Sequence, residues 1–130
     1  MNLIVDFGGT HIRFLYNNKF IKKKHDIKSI KEFIFELEDY VKYLEINEEF
    51  KNKIIIALPG IIDDFIIHNE TNLKFLNNIY LSKKILNYEA IYFNDGDLSL
   101  LGEINYNKID KSKKILNLIF ETGVGCGLWI

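Results

Sequence analysis

The fold is decided by the stretch Leu3-Ile4-Val5-Asp6-Phe7-Gly8-Gly9-Thr10-His11-Ile12-Arg13-Phe14, in which a short apolar run delivers Asp6 to the end of a predicted strand. Gly8, Gly9 and Thr10 then lead directly into a second β-prone run. Paired glycines permit a tight reversal with positive φ and leave backbone N–H groups uncovered by side chains. Such a turn can approach a phosphate closely, while Asp6 can hold a hydrated magnesium ion and Thr10 can donate its hydroxyl. The alternative interpretation is a plain β-hairpin with a Gly-Gly turn.

Composition describes an ordinary globular domain of 130 residues, 48% hydrophobic and 27% charged. Seventeen basic and eighteen acidic residues leave a net charge of -1, so no global field favours nucleic acid or an anionic membrane. A single cysteine excludes an internal disulfide and is typical of a reducing, cytoplasmic compartment. The cysteine and three scattered histidines have no metal-ligand spacing, so no zinc site is expected, and no apolar run is long enough to span a bilayer.

The chain in order reads β-β-β-α-β-α-β-α-β-β. Residues 2–6, 12–16 and 19–23 predict a meander of three antiparallel strands. Ser29 to Glu32 is a capping box that opens a helix whose apolar residues recur every three or four positions to about Glu45.

A continuous apolar run, Lys53 to Leu58, predicts a central strand reached by a parallel crossover and covered by helices on each side. The remaining predicted elements are a short strand over Phe65–His68, a short helix over Ile79–Leu86, a strand over Glu89–Phe93, a helix marked by Leu98 to Ile104, and a strand over Ile115–Phe120 that runs into a second glycine-rich turn. The predicted class is therefore α/β, with a mixed sheet of three antiparallel strands plus parallel strands and helices on both faces.

Polar or glycine-rich groups follow four of these strands. They are Asp6 to Thr10, Pro59-Gly60, Asn94-Asp95 and Thr122 to Gly125. In open α/β sheets ligands bind at the carboxyl ends of the strands, and two backbone cradles with carboxylates between them suit phosphoryl transfer. Asp95 is the candidate general base for an acceptor hydroxyl, and Asp97 is assigned to capping the following helix. Asn94 can donate to and accept from a hydroxylated ligand, or it can simply be a turn residue.

These motifs together resemble the ROK family of sugar kinases (repressor, open reading frame, kinase). Residues 6–13 resemble its D-x-G-G-T-x-x-R phosphate motif, and residues 58–63 are similar to its P-G-x-x-D segment. Asn72-Leu73 with Phe75 is weakly similar to its N-L…W stretch. Residues 94–103 resemble N-D-x-x-x-x-x-L-G-E, and residues 122–127 resemble the second phosphate motif. The resemblance covers essentially the whole chain and implies the N-terminal lobe of a ribonuclease H-like, actin-like ATPase fold.

The resemblance also implies roles for individual residues. Asp6 would act at magnesium, through water, while Asp95 would be the general base and also contact the sugar. The other implied residues fall into two groups, namely Gly8, Gly9, Thr10, Thr122 and Gly123 at the ATP phosphates, and Gly60, Asn72 and Asn94 at sugar hydroxyls.

Several positions depart from the family pattern. Glu121 stands where glycine is usual, and a carboxylate beside a triphosphate is repulsive unless it points away or binds magnesium. Cys126 also replaces a glycine, Gly96 and Asp97 replace alanine- and asparagine-type residues, and His11 stands where lysine is common.

The function that the resemblance implies is ATP- and magnesium-dependent phosphorylation of a hexose or N-acylhexosamine hydroxyl, most simply the 6-OH. The chain ends in an apolar run, 126–130, so we expect it to be one lobe whose partner lobe is absent, and we expect the isolated 130 residues to be inactive. The alternatives are a non-catalytic sugar sensor and a degenerate pseudokinase. ROK repressors carry a helix-turn-helix before the first phosphate motif, whereas Met1 here leads into a strand, which favours the kinase and a chain without nucleic-acid partners. The balanced charge and the absence of a long apolar run predict no membrane partner. A homo-oligomer of the full-length protein is left open.

Overall fold

The computed structural model describes residues 1–68, 73–120 and 124–130. Its ten strands and two helices follow in chain order: β1 (Leu3–Phe7), β2 (His11–Tyr16), β3 (Lys19–Lys24), α1 (Ile30–Glu48), β4 (Ile54–Leu58), β5 (Ile61–Asp63), β6 (Ile66–His68), β7 (Lys84–Ile85), β8 (Tyr88–Asn94), α2 (Asp95–Tyr106), β9 (Ile115–Phe120) and β10 (Val124–Trp129). A short 3-10 helix, Lys74–Leu76, lies between β6 and β7. None of the helices described is both long and apolar enough to cross a membrane.

Six strands form the main sheet in the order β3-β2-β1-β4-β8-β7. β1 pairs antiparallel with β2, and β2 with β3, whereas β4 runs parallel to both β1 and β8. The edge strand β7 is antiparallel to β8. The predicted α/β class with a mixed sheet is confirmed.

The main core lies between one face of this sheet and α1. Alternate residues Leu3, Val5 and Phe7 of β1 are completely buried on this face, as expected for strand periodicity. On α1 the buried positions are Phe33, Leu37, Val41 and Leu44, spaced three or four residues apart. The periodic apolar stripe predicted for α1 is therefore the face that the helix buries.

The start of α1 is fixed by the predicted capping box. Ser29 Oγ accepts a hydrogen bond from the Glu32 backbone N–H at 3.2 Å. The reciprocal bond is shifted by one residue, because a Glu32 carboxylate oxygen accepts from the Lys28 N–H at 2.6 Å. Both bonds satisfy backbone donors that the first turn of a helix leaves unpaired.

The predicted short helix over Ile79–Leu86 is wrong. The Ile79 carbonyl accepts from the N–H of Ile67, and the N–H of Leu81 donates to the Phe65 carbonyl at 2.6 Å, so residues 79–81 lie extended beside β6. Lys84–Ile85 then form β7. Leu81 and Ile85 are both almost completely buried. Their four-residue spacing suits one face of a helix and equally well one face of an extended chain.

The hairpin β9–β10 forms a two-stranded sheet separate from the main sheet and lies against α2. A Cβ atom built on Gly96 would lie 2.2 Å from the Cys126 carbonyl oxygen, and one on Gly127 would lie 2.5 Å from the Gly96 carbonyl oxygen. Two glycines therefore allow the backbones of α2 and β10 to touch. On the hairpin's other face Leu116, Leu118 and Leu128 are half-exposed or more.

Candidate functional site

Three of the predicted site segments meet where the neighbouring strands β1, β4 and β8 end. The carboxyl ends of these strands form one edge of the main sheet. The parallel register places Asp6 beside Ala57 and Ala57 beside Phe93, with Leu58 beside Asn94. The loop after β1, the Pro59-Gly60 turn and the start of α2 consequently leave adjacent strands at nearly the same level. The prediction that these segments lie together is confirmed.

Asp6 forms an ion pair with Arg13, which lies directly opposite on β2. Arg13 Nη1 donates to Asp6 Oδ2 at 2.7 Å, and the side chains are 38% and 25% exposed for Asp6 and Arg13 respectively. The pair lies on the sheet face opposite α1. Because Arg13 contacts Oδ2, Oδ1 lies outside this ion pair. A partly exposed carboxylate fits a magnesium ion that keeps most of its water ligands, as magnesium usually does.

The loop from Gly8 to Thr10 is closed by a hydrogen bond of 2.9 Å from the Gly8 N–H to the His11 carbonyl. Among the described glycines only Gly60 has a positive φ, so this loop forms without the left-handed conformation considered for paired glycines. A Cβ at Gly8 would meet no atom nearer than 3.5 Å, an ordinary contact. A glycine at position 8 is therefore not needed to relieve a clash. Its effect is to leave the backbone N–H groups of the loop uncovered by a side chain.

Cationic side chains surround this end of β1. Slight desolvation and then the charges of Lys22, Arg13 and Lys24 lower the pKa of His11 below its ordinary value. Lys24 lies directly opposite His11 in the β2–β3 ladder, and Lys22 lies opposite Arg13. Neither lysine forms an ion pair with another residue in the described part of the chain. The positive potential here suits an anionic ligand.

The junction of β8 and α2 is organised by Asn94, which is the N-cap of the helix. Its Oδ1 accepts from the N–H groups of Gly96 at 2.9 Å and Asp97 at 3.4 Å. The assignment of the cap to Asp97 was therefore wrong: the helix begins three residues earlier than the apolar pattern indicated. An asparagine in extended conformation directly before the helix is a favoured cap, and it outcompetes an aspartate already inside the first turn.

The same Asn94 side chain also ties α2 to the turn after β4. Its Nδ2 donates to the Gly60 carbonyl at 2.5 Å. Gly60 has a φ of 96°, a conformation that favours glycine. Two of the predicted sugar-binding residues thus contact each other, and the second Nδ2 hydrogen of Asn94 is outside this bond.

Asp95 is the first residue of α2, and its Oδ1 accepts from the Gly96 N–H at 2.8 Å. The positive end of the helix dipole stabilises a carboxylate at this position. The glycine that follows is required by packing, since any side chain at 96 would collide with the Cys126 backbone. This contact explains one departure from the family pattern, the glycine after Asn94-Asp95.

Four residues singled out in the sequence lie outside the described residues: Asn72, Glu121, Thr122 and Gly123. Their predicted roles stay predictions. Sequence reasoning missed His25, whose ring contacts the loop from Gly8 to Thr10: its Nε2 lies 2.6 Å from the Gly8 carbonyl oxygen. No motif signals it, because the contact depends on how β3 ends beside that loop.

With this geometry established, comparison with protein families is decisive. The model of the ROK family matches residues 3–130. The chain belongs to the ROK family. No curated protein sequence matches this ROK chain.

Solved structures share the fold at low sequence identity. A Listeria monocytogenes protein named as a candidate N-acetylmannosamine kinase has a TM-score of 0.75 at 18% identity, covering 98% of this chain and 46% of its own. A glucokinase from Parabacteroides distasonis has a TM-score of 0.65 at 22% identity, covering 98% and 43%. A ROK family transcriptional regulator, homologous to the E. coli MLC protein, has a TM-score of 0.66 at 19% identity, covering 98% and 36%.

These likenesses establish the fold, an α/β domain resembling the actin-like ATPase lobe of ROK sugar kinases. The chain spans less than half the length of each of these three structures. Because both kinases and a regulator share the fold, the activity has to be argued from the site itself.

Proposed function

We propose that this chain is the sugar-binding, catalytic-base lobe of an ATP-dependent sugar kinase. The observation that carries the proposal is the parallel register of β1, β4 and β8, which brings the Gly8–Thr10 loop, Gly60 and the Asn94–Asp95 pair to one edge. An anion-favouring loop and a separate carboxylate at one edge are what phosphoryl transfer to a hydroxyl requires. The second lobe would form the opposite wall of the cleft.

In the proposed reaction the Asp95 carboxylate accepts the proton of a sugar hydroxyl. The hydroxyl oxygen attacks the γ-phosphorus of ATP, the bond from that phosphorus to the bridging oxygen breaks, and ADP leaves. Asn94 and Gly60 orient the sugar, with Asn72 as a third predicted contact. The acceptor is a hexose or N-acylhexosamine, most simply at its 6-OH.

At the other end of the edge, the phosphates lie against Gly8, Gly9 and Thr10, with Thr122 and Gly123 predicted on the far side. The surrounding charges of Arg13, Lys22 and Lys24 support this placement. A magnesium ion held through water at Asp6 would neutralise phosphate charge when bound.

Sugar-dependent ADP release by the complete protein, measured across a panel of hexoses and N-acylhexosamines, tests the proposal. We expect turnover with at least one sugar and none with the isolated 130 residues. Sugar binding without any sugar-dependent ADP release would favour the pseudokinase, for which Glu121 is the motivating residue. A transcriptional sensor is the second candidate because one ROK regulator shares this fold, and sugar-sensitive binding to DNA would identify it.

A further inference from the structure

His25 lies immediately after β3 and makes two separate hydrogen bonds to the loop that follows β1. Its ring Nε2 is 2.6 Å from the Gly8 carbonyl oxygen. Its backbone N–H donates to the Thr10 carbonyl oxygen at 3.1 Å. One residue thus holds the carbonyls at both ends of the loop.

The ring is itself fixed in position and in tautomer. Nδ1 accepts a hydrogen bond from the Ile27 N–H at 3.2 Å, so it carries no proton, and Nε2 faces a carbonyl oxygen, so it must carry one. The ring also packs on Phe7, with 4.7 Å between centroids, and Phe7 is completely buried. His25 is therefore a preorganised donor rather than a mobile surface side chain.

The bond to Gly8 controls the direction of the next amide. In a planar trans peptide the C=O of one residue and the N–H of the following residue point in opposite directions. Since the Gly8 carbonyl points at His25, the Gly9 N–H must point away from His25. An oriented N–H at a glycine with no side chain is the kind of donor that binds a phosphate oxygen.

We propose that His25 is a positioning residue for the nucleotide, setting the Gly8–Gly9 peptide so that the Gly9 N–H faces a phosphate. The inference rests on the proposed function for the identity of the ligand. His25 itself does not touch the phosphate; it acts through the Gly8 carbonyl.

The test compares three substitutions in the complete protein. His25→Phe keeps an aromatic ring against Phe7 but has no donor, and His25→Glu presents only acceptors to the carbonyl. His25→Gln is the matched control, since it has the length of glutamate and a donor amide that can reach the Gly8 oxygen.

We expect the Phe and Glu variants to raise the KM for magnesium-ATP about three- to tenfold, the effect of one hydrogen bond, while the KM for sugar stays unchanged. His25→Gln should stay within about twofold of wild type for both substrates. The inference would be overturned by equal rises in the KM for ATP and the KM for sugar. It would also be overturned if the KM for ATP were unchanged in both the Phe and the Glu variant. If the Phe variant does not fold, the Gln–Glu pair carries the same comparison.

Equilibrium binding of magnesium-ATP to the same proteins separates this inference from the proposed reaction. If wild type binds ATP but shows no turnover with any sugar, the proposed kinase function fails. Weaker ATP binding in His25→Glu than in His25→Gln would still support the positioning role. Equal binding in those two variants would overturn it whether or not the protein is a kinase.

Discussion

The end of β1 and the start of α2 lie at the same edge of one sheet but have opposite electrostatic character. The β1 end places Asp6 against Arg13 and lies close to Lys22 and Lys24. The α2 end carries two acidic residues in its first turn, Asp95 and Asp97.

Under the proposed function, this difference corresponds to two tasks at one edge of the sheet. Cationic surroundings favour a multiply charged anion at β1, whereas a carboxylate in an acidic turn suits the acceptance of a proton at α2. The supports also differ. The β1 end is held by the side chains of Arg13 and His25. The α2 end is held by the Asn94 cap and by the close backbone contact at Gly96.

The largest expected effect is at the α2 end. Asp95→Asn in the complete protein should lower kcat about a thousandfold or more, because the amide cannot accept the proton, while sugar affinity is nearly unchanged. Asp97→Asn, two residues along the same helix turn, is the control and should stay close to wild type. Steady-state kinetics with direct sugar binding check this. Near-wild-type turnover in Asp95→Asn would remove the base assignment.

At the β1 end we expect a smaller loss. Asp6→Asn can still accept from Arg13, so the fold should persist. The lost negative charge should lower turnover about 10- to 100-fold, the range for weakened metal sites, and raise the magnesium concentration needed for half-maximal rate. Kinetics against a magnesium series measure both, with the exposed Asp39→Asn as control. An unchanged magnesium dependence would contradict the role of Asp6.

The backbone support of the α2 end predicts an effect on stability. Gly96→Ala should lower the free energy of unfolding by about 1–3 kcal/mol, since the new methyl group collides with the Cys126 carbonyl. Gly102→Ala in the same helix has no atom within 4 Å of the added Cβ and should be neutral or stabilising by up to about 1 kcal/mol. Urea unfolding compares them. Equal stabilities would mean that α2 and β10 are not closely packed.

The smallest effect concerns the charge around β1. The pKa of His11 should lie below its ordinary value, and Lys22→Gln or Lys24→Gln should raise it, because removing a nearby positive charge makes the imidazolium less unfavourable. Because folding lowers this pKa, protonation of His11 favours the unfolded state. The resulting loss of folding stability is absent at high pH and grows as the pH falls through 6.5. NMR titration measures the shift, with Lys51→Gln as control. A His11 pKa insensitive to both lysines would refute the cationic character of this end.

Much of the fold was predictable because the signals are local. The short apolar run of β1, the capping box at Ser29 and the periodic stripe of α1 each specify an element without reference to the rest of the chain. The apolar run of β4, lacking any alternation, indicated a strand covered on both faces. The order of these elements then predicted that the site segments lie together at the carboxyl ends of the strands.

The sequence by itself thus determined the α/β class, the family and the loops that meet at the strand ends. Tertiary structure decided which residue does what within them: Asn94 rather than Asp97 caps α2, residues 79–81 lie extended, and His25 holds the Gly8 carbonyl. The physical reason is that hydrogen bonds to backbone groups go to whichever partner the fold brings within reach. Residue spacing along the chain predicts an element, but it does not predict a partner seventeen residues away.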